Sequence, residues 1–333
     1  MNKPKAAVIG IGGIGIWHGQ MLRDTQRMDV VALCDANESM RTRAKEHFPD
    51  ARFYTAPEQM LSQERPGVVV LATPHDLHAP LAIAALGAGA NVIVEKPMAT
   101  RYEDCLAMIA AARKADRFLT VFHNRRLDGW YLAAKSVIDD GVLGRLIELN
   151  SAITFRPGPE TWRGYKAKCG GIMFDWGVHL VDYVVHLGGG DVRAVSGFYY
   201  RAPGANPALN EDHGHVRIHF QSGAIANVTI YAMGRGSPLR YHITGERGTL
   251  TDEWNWDDNQ KVKVLTTLSA GTAASMEVSY HKTVTQRFYD NVADHVENGA
   301  PLLVSAESAA RNINILCTAE RAFAQGGAPL PLA

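Results

Sequence analysis

A glycine pattern near the amino terminus constrains this chain more than any other feature. Val8-Ile9-Gly10-Ile11-Gly12-Gly13-Ile14-Gly15 places Gly-x-Gly-x-x-Gly directly after the apolar run Ala6–Ile9. Gly10 permits a tight turn out of a strand. Gly12 lets the backbone approach a pyrophosphate, and Gly15 lets the following helix pack closely on the strand. Gly13 and Ile14 then belong to a helix start, where free N–H groups and the helix dipole favour negative charge. The pattern alone is weak, and a glycine-rich structural turn would also satisfy it. Its context is stronger, because Asp35 ends the next apolar run, Val30–Cys34, 20 residues beyond Gly15.

Asp35 suits the adenosine ribose of NAD, whose two hydroxyls it would accept from, whereas a 2′-phosphate would be repelled by the carboxylate. Arg41 and Arg43 lie about a helical turn or more further along. The alternative is that Asp35 only caps the next helix.

The first third of the chain alternates strand and helix. Further apolar runs at Val68–Ala72, Asn91–Val94 and Phe118–Phe122 read as strands, with helices at Trp17–Arg23, Glu38–His47, His78–Ala88 and Tyr102–Lys114. Continuous apolar strands separated by helices imply a parallel sheet covered on both faces, the doubly wound plan. The pattern changes near residue 123. A helix at Trp130–Asp139 is followed by strands at Leu146–Phe155, Val192–Tyr200, His215–Phe220, Ala224–Ala232, Leu239–Thr244 and Val262–Thr267, several alternating polar and apolar. Helices at Gln286–Glu297 and Ala306–Ala324 close the chain. The expected architecture is α/β: a Rossmann domain over residues 1–122, then an α/β domain over 123–333 with a large open sheet. Its alternating strands leave an apolar face needing cover, so a homo-oligomer is expected.

Charge and cysteines exclude several classes. Lys+Arg and Asp+Glu are each 34, with no basic stripe, so nucleic acid is not an expected partner. No apolar run is long enough to span a bilayer, so no membrane role is expected. The four cysteines, Cys34, Cys105, Cys169 and Cys317, are scattered, which suits a reducing cytoplasm and neither a disulfide framework nor a zinc site.

Two further segments carry chemistry. Lys96, in Glu95-Lys96-Pro97, ends the fourth strand, where side chains of this fold point into the cofactor crevice; the alternative is a surface lysine in a turn. Asp175, His179, Asp182 and His186 fall at i, i+4, i+7 and i+11, one face of a helix whose remainder is apolar. An acid–histidine pair on such a helix suggests proton transfer. A metal-ligand row or a solvated polar face fits the same spacing.

At these residues the chain resembles the glucose–fructose oxidoreductase / inositol dehydrogenase / rhizopine-catabolism family over nearly its whole length. The resemblance rests on "VIGIGGIG", "ATPHDLHAPLAIAALGAGANVIVEKPMA", "GGIMFDWGVHLVDYVVHLGG", "ITGERGTL" and "NGAPLLVSAESA". It implies a mostly antiparallel second sheet whose open face builds dimers or tetramers. It also implies Lys96, Asp175 and His179 as catalytic residues. Thr73, Pro74, His78 and Glu95 would stand beside the cofactor, and Trp162-Arg163 would approach the nicotinamide. "FHNRRLDG" is similar to a subgroup containing scyllo-inositol-type dehydrogenases, which puts His123 and Arg125 with Lys96, Asp175 and His179 on the substrate side. Some relatives of that subgroup use NADP, so either nicotinamide is possible, with NAD expected from Asp35.

The function these residues imply is hydride transfer between NAD(P) and a secondary hydroxyl or ketone of a small polyhydroxylated substrate, a sugar or inositol. His179 is the base for the hydroxyl proton, Asp175 its orienter and Lys96 the donor to the reacting oxygen; no metal is required. Three rivals share the cofactor site: reduction of a cyclic imine or diimine, against which the Lys96, Asp175 and His179 set argues, glycoside cleavage through a transient 3-keto sugar, and a dinucleotide-binding sensor without turnover. Retention of Lys96 and His179 argues against the sensor.

Overall fold

The computed structural model describes residues 3–268 and 271–333. It divides into two compact units, Met1–His123 with Gln286–Arg311, and Asn124–Thr285 with Asn312–Ala333.

In the first unit β1 (Lys5–Ile9), α1 (Gly13–Asp24), β2 (Asp29–Cys34), α2 (Met40–His47), β3 (Arg52–Tyr54), α3 (Pro57–Glu64), β4 (Val68–Leu71), α4 (His78–Gly87), β5 (Asn91–Val94), α5 (Tyr102–Ala115) and β6 (Leu119–Val121) follow one another. The strands pair in parallel in the order β3-β2-β1-β4-β5-β6. This is the doubly wound order, reversing between β1 and β4, and ligands of such sheets bind at the carboxyl ends beside that reversal. Every residue of Val68-Val69-Val70-Leu71 is buried, as a strand covered on both faces requires. At roughly 1.5–3 kcal/mol for each fully buried Val or Leu side chain, these central strands supply much of the unit's hydrophobic stabilisation. The sequence predicts no element between α2 and β4, where the structure has β3 and α3. It also predicts the first helix from Trp17, whereas α1 starts at Gly13, with Gly12 as its N-cap.

The second unit begins with α6 (Gly129–Asp139) and β7 (Leu146–Thr154), then short α7 (Lys166–Cys169), α8 (Val178–Leu187), β8 (Val192–Tyr200), β9 (His213–Phe220), β10 (Ile225–Tyr231), β11 (Leu239–Gly245), β12 (Gly248–Glu253), β13 (Lys261–Thr267) and β14 (Ala273–Ser279). Eight strands pair in the order β14-β13-β12-β11-β7-β10-β9-β8, antiparallel throughout except β10 with β7. Alternation decides the faces: Val216, Ile218 and Phe220 of β9 are buried while Arg217 between them is exposed. The outward face differs from the apolar surface expected. It mixes exposed Phe198, Tyr200, Tyr231 and Leu265 with His213, His215, Arg217, Asn227 and His242.

The chain then returns to the first unit through α9 (Arg287–Asn298) and the start of α10 (Ala306–Ala324). Hydrophobic pattern alone leaves Gln286–Arg311 in the second domain, whereas the structure groups the segment with the first unit. The segment packs with the first unit because α9 seats Phe288 and Tyr289 on Phe122, with ring centroids 4.9 and 5.9 Å away.

Candidate active site

The glycine turn of the first unit has the geometry its sequence demands. Gly10 sits at φ +93°, and a Cβ there would lie 2.5 Å from the Ala72 carbonyl oxygen. A Cβ on Gly15 would lie 1.8 Å from the Gly10 carbonyl oxygen, whereas one on Gly12 would meet nothing within 4 Å. Gly10 and Gly15 therefore serve the turn, and Gly12 keeps open the space at the helix start. No side chain caps α1, so its first N–H groups are available to an anion. Gly12, Gly13 and Ile14 are exposed there.

Asp35 is held by backbone. Its Oδ2 accepts from Ile11 N–H at 2.8 Å and its Oδ1 from Asn37 N–H at 2.9 Å. Each oxygen keeps a second lone pair for a ribose hydroxyl. After β4, the Thr73 hydroxyl is buried with no hydrogen-bond partner. An uncapped helix, an open approach at Gly12, a fixed carboxylate and an orphaned hydroxyl all fit a bound dinucleotide.

His78 sits between two backbone carbonyls. It is fully buried, with Nδ1 2.8 Å from the Pro97 carbonyl oxygen and Nε2 3.1 Å from that of Thr73. It braces the loop after β4, carrying Thr73 and Pro74, against the loop after β5, carrying Lys96. Burial pushes its imidazole below the usual histidine range. Glu95 accepts from the Lys96 backbone N–H at 3.0 Å.

In the second unit, Met173–Gly177 forms a π-helical turn that runs into α8. Single π-turns recur at functional sites. This one breaks the α-helical phase assumed from sequence, so the four acid and histidine residues do not form one continuous row. Asp175, within the π-turn, meets Arg163, whose Nε lies 3.4 Å from Oδ2. Arg163 also stacks over Trp162 at 4.4 Å. Asp182, on α8, is bound by Arg126 and by Asn312 Nδ2 at 2.8 Å. Among the described residues no group of three or more His, Cys, Asp or Glu side chains could hold a metal ion.

Asp175 and His179 are both buried. The His179 ring lies 5.6 Å from Trp176 and 6.4 Å from Tyr183, stacked on the latter at 17°. Trp176 is 5.9 Å from Trp256, which is 58% exposed. The Arg125 guanidinium stands over both rings, 5.4 Å from Trp176 and 4.7 Å from Trp256, and pairs with Asp128 at 3.0 Å. The result is an aromatic shelf beginning at His179.

Lys96 and Glu95 thus lie in the first unit, and Arg125, Trp162, Arg163, Asp175 and His179 in the second. His123, buried, is the last residue of the first unit's opening run. Sequence reading missed His18, Tyr289, Arg126 and Trp256. Only His18 had a signal, as a polar residue inside the first helix directly after the glycine turn.

Residues 5–123 match the family model described as "Oxidoreductase family, NAD-binding Rossmann fold", and residues 131–251 match "GFO/IDH/MocA C-terminal domain". The chain belongs to this family of NAD(P)-dependent oxidoreductases. It is 26% identical to scyllo-inositol 2-dehydrogenase (NADP(+)) of Bacillus subtilis, covering 94% of this chain and 91% of that one. It is 25% identical to myo-inositol 2-dehydrogenase of Thermotoga maritima, covering 91% of each. Among solved structures, the WlbA dehydrogenase of Bordetella pertussis in complex with NADH and UDP-GlcNAcA superposes with a TM-score of 0.83 at 25% identity, covering 100% of this chain and 99% of that one. The expected fold, enzyme class and nicotinamide cofactor all stand. No helix among the described residues is long and apolar enough to cross a membrane.

Proposed function

We propose that this protein transfers a hydride between NAD and a secondary hydroxyl or ketone carbon of a cyclic polyol, a sugar or an inositol. The observation that carries the polyol is the aromatic shelf: Trp176 and exposed Trp256 extend directly from the buried Asp175–His179 pair. A pyranose or cyclitol ring has an apolar C–H face that suits an indole, and hydroxyls at its rim for hydrogen bonds. The inositol dehydrogenases among its relatives support the same substrate class.

The nicotinamide, when bound, accepts the hydride in oxidation and supplies it in reduction. His179 takes the hydroxyl proton. Asp175, fixed by Arg163, orients His179 and stabilises its cationic form. Lys96 donates to the reacting oxygen and stabilises the negative charge developing there. Trp256 and Arg125 seat the ring. Thr73, Pro74 and Asp35 hold the dinucleotide, with Trp162 on the nicotinamide side. His123 borders the substrate.

A screen of inositols, aldoses and keto-sugars with NAD and NADP tests this reading through the absorbance of the reduced nicotinamide. Polyol-dependent reduction of NAD is expected. Cleavage of a glycoside without net nicotinamide reduction, or binding of NAD with no turnover of any polyol, would overturn it.

A further inference from the structure

The first unit contains a buried hydrogen-bonded chain that the proposed chemistry does not use directly. Tyr289 Oη, on α9, lies 2.5 Å from His18 Nδ1, on α1. His18 Nε2 lies 2.9 Å from Glu95 Oε1, and Glu95 Oε2 accepts from the Lys96 backbone N–H at 3.0 Å. His18 and Tyr289 are both fully buried. From this geometry we infer that Tyr289, His18 and Glu95 form a relay that fixes the backbone of Lys96, making His18 a positioning residue for that lysine. The inference rests on the reading that Lys96 acts on the substrate oxygen.

With His18 neutral, proton bookkeeping leaves the relay one arrangement. A carboxylate only accepts, so His18 Nε2 must carry its hydrogen toward Glu95. In a neutral imidazole Nδ1 then accepts, and the Tyr289 hydroxyl donates to it. Burial holds that hydroxyl well above the usual tyrosine range, so it remains a donor. For Glu95, burial pushes the carboxyl up, but the hydrogen bond donated by His18 and the positive potential of its basic neighbours His18, Lys96 and His78 outweigh it. The carboxyl ends below its usual range. Those three groups and Tyr289 behind His18 are the titratable side chains facing it.

The placement gives the relay its consequence. His18 belongs to the helix whose start is shaped for the dinucleotide phosphates. Lys96 follows β5, and Tyr289 comes from the returning segment. One imidazole therefore couples three elements distant in sequence. A histidine that merely filled the core would gain nothing from a hydrogen bond to the carboxylate that holds the Lys96 peptide, and desolvating polar groups there costs free energy that a phenylalanine would avoid.

Three variants test the relay: His18→Leu, His18→Gln and Tyr289→Phe. The first readout needs no substrate: amide hydrogen exchange at Lys96 in the full-length protein. It should accelerate at least roughly 10-fold in His18→Leu, as expected when a charge-assisted hydrogen bond loses its support, and recover in His18→Gln, whose amide can replace the Nε2 donor. The second readout is kcat against pH with myo-inositol and NAD. A misplaced lysine should lower kcat roughly 10²-fold in His18→Leu while KM changes little. The acid limb should also move to higher pH, because Glu95 without its donor is left to the upward push of burial. Tyr289→Phe should fall between wild type and His18→Leu. If His18→Leu does not fold, Tyr289→Phe and His18→Gln carry the test. Unchanged Lys96 exchange in the folded variants, or a lower melting temperature with wild-type exchange and pH profile, overturns the relay. Wild-type turnover in Lys96→Ala would instead overturn the underlying reading while leaving the exchange result to stand alone.

Discussion

Arg126 grips Asp182 with two nitrogens, Nε at 2.8 Å from Oδ2 and Nη2 at 2.6 Å from Oδ1. Asp182 is buried and the Arg126 side chain is 12% exposed. The pair joins the stretch before α6 to α8, and Asn312 ties α10 to the same carboxylate. Asp182→Ala would leave a mostly buried guanidinium without its counter-charge. Such losses cost about 3–5 kcal/mol, readable as a lowered denaturant midpoint. With Asp182 engaged in this way, turnover should survive prolonged chelation. Loss of activity in chelator, restored by zinc, would contradict that.

His179→Ala and Lys96→Ala should cut kcat by roughly 10²–10³-fold, the scale of losing a positioned base or one oxyanion donor. NAD affinity should change little, because it comes from the glycine turn, the α1 start and Asp35. The paired measurement is kcat and the NAD dissociation constant, with melting temperature as control. Turnover within a few-fold of wild type removes that residue from the mechanism.

The three glycines of the turn should separate by assay. Gly12→Ala meets open space, so the protein should melt like wild type yet bind NAD more weakly, its methyl standing where the pyrophosphate approaches. Gly15→Ala would drive a methyl into the Gly10 carbonyl, and Gly10→Ala adds positive-φ strain to a clash with Ala72. Both should melt lower and bind poorly. Normal NAD binding by Gly12→Ala would place the dinucleotide elsewhere.

Asp35 should make NAD the tighter cofactor by calorimetric titration. Removing its carboxylate in Asp35→Ala should cost roughly 10–100-fold in NAD affinity, the value of a charged hydrogen bond, and narrow the gap to NADP. Arg43 is the cation to examine if wild type prefers NADP, since its Nη2 would lie 3.8 Å from a Cβ on Gly13.

The outward face of the eight-stranded sheet should pair with other copies of the chain. Light scattering at micromolar concentration is expected to show a dimer or tetramer. Phe198→Glu, at a 51% exposed position on the edge strand β8 of that face, should dissociate it. A wild-type monomer would count against the assignment.

Much of this architecture is legible because hydrophobic period and glycine chemistry encode it directly. β1, β5 and β8 lie where their apolar or alternating runs predict them, and Gly10, Gly12 and Gly15 announce the turn. Other parts leave no such trace. β3 is three residues long, too short for a period, and β14 has no buried residue to mark its face. The π-turn at Met173–Gly177 is a change of hydrogen-bond register, which apolar spacing does not record, so Asp175 and Asp182 looked aligned although they bind different arginines. Tyr289 and His18 are 271 positions apart, and nothing local in either segment announces the other.

The return of α9 to the first unit bears on how the protein is made. Phe122 and His18 reach their final packing only against Phe288 and Tyr289. At ~5–20 residues per second of synthesis, the nucleotide-binding sheet can emerge from the ribosome well before these partners exist. It must wait with an aromatic surface uncovered while the entire eight-stranded sheet is translated. A fragment ending at residue 123 would carry the full glycine turn and six strands and still lack the side chains that close its core.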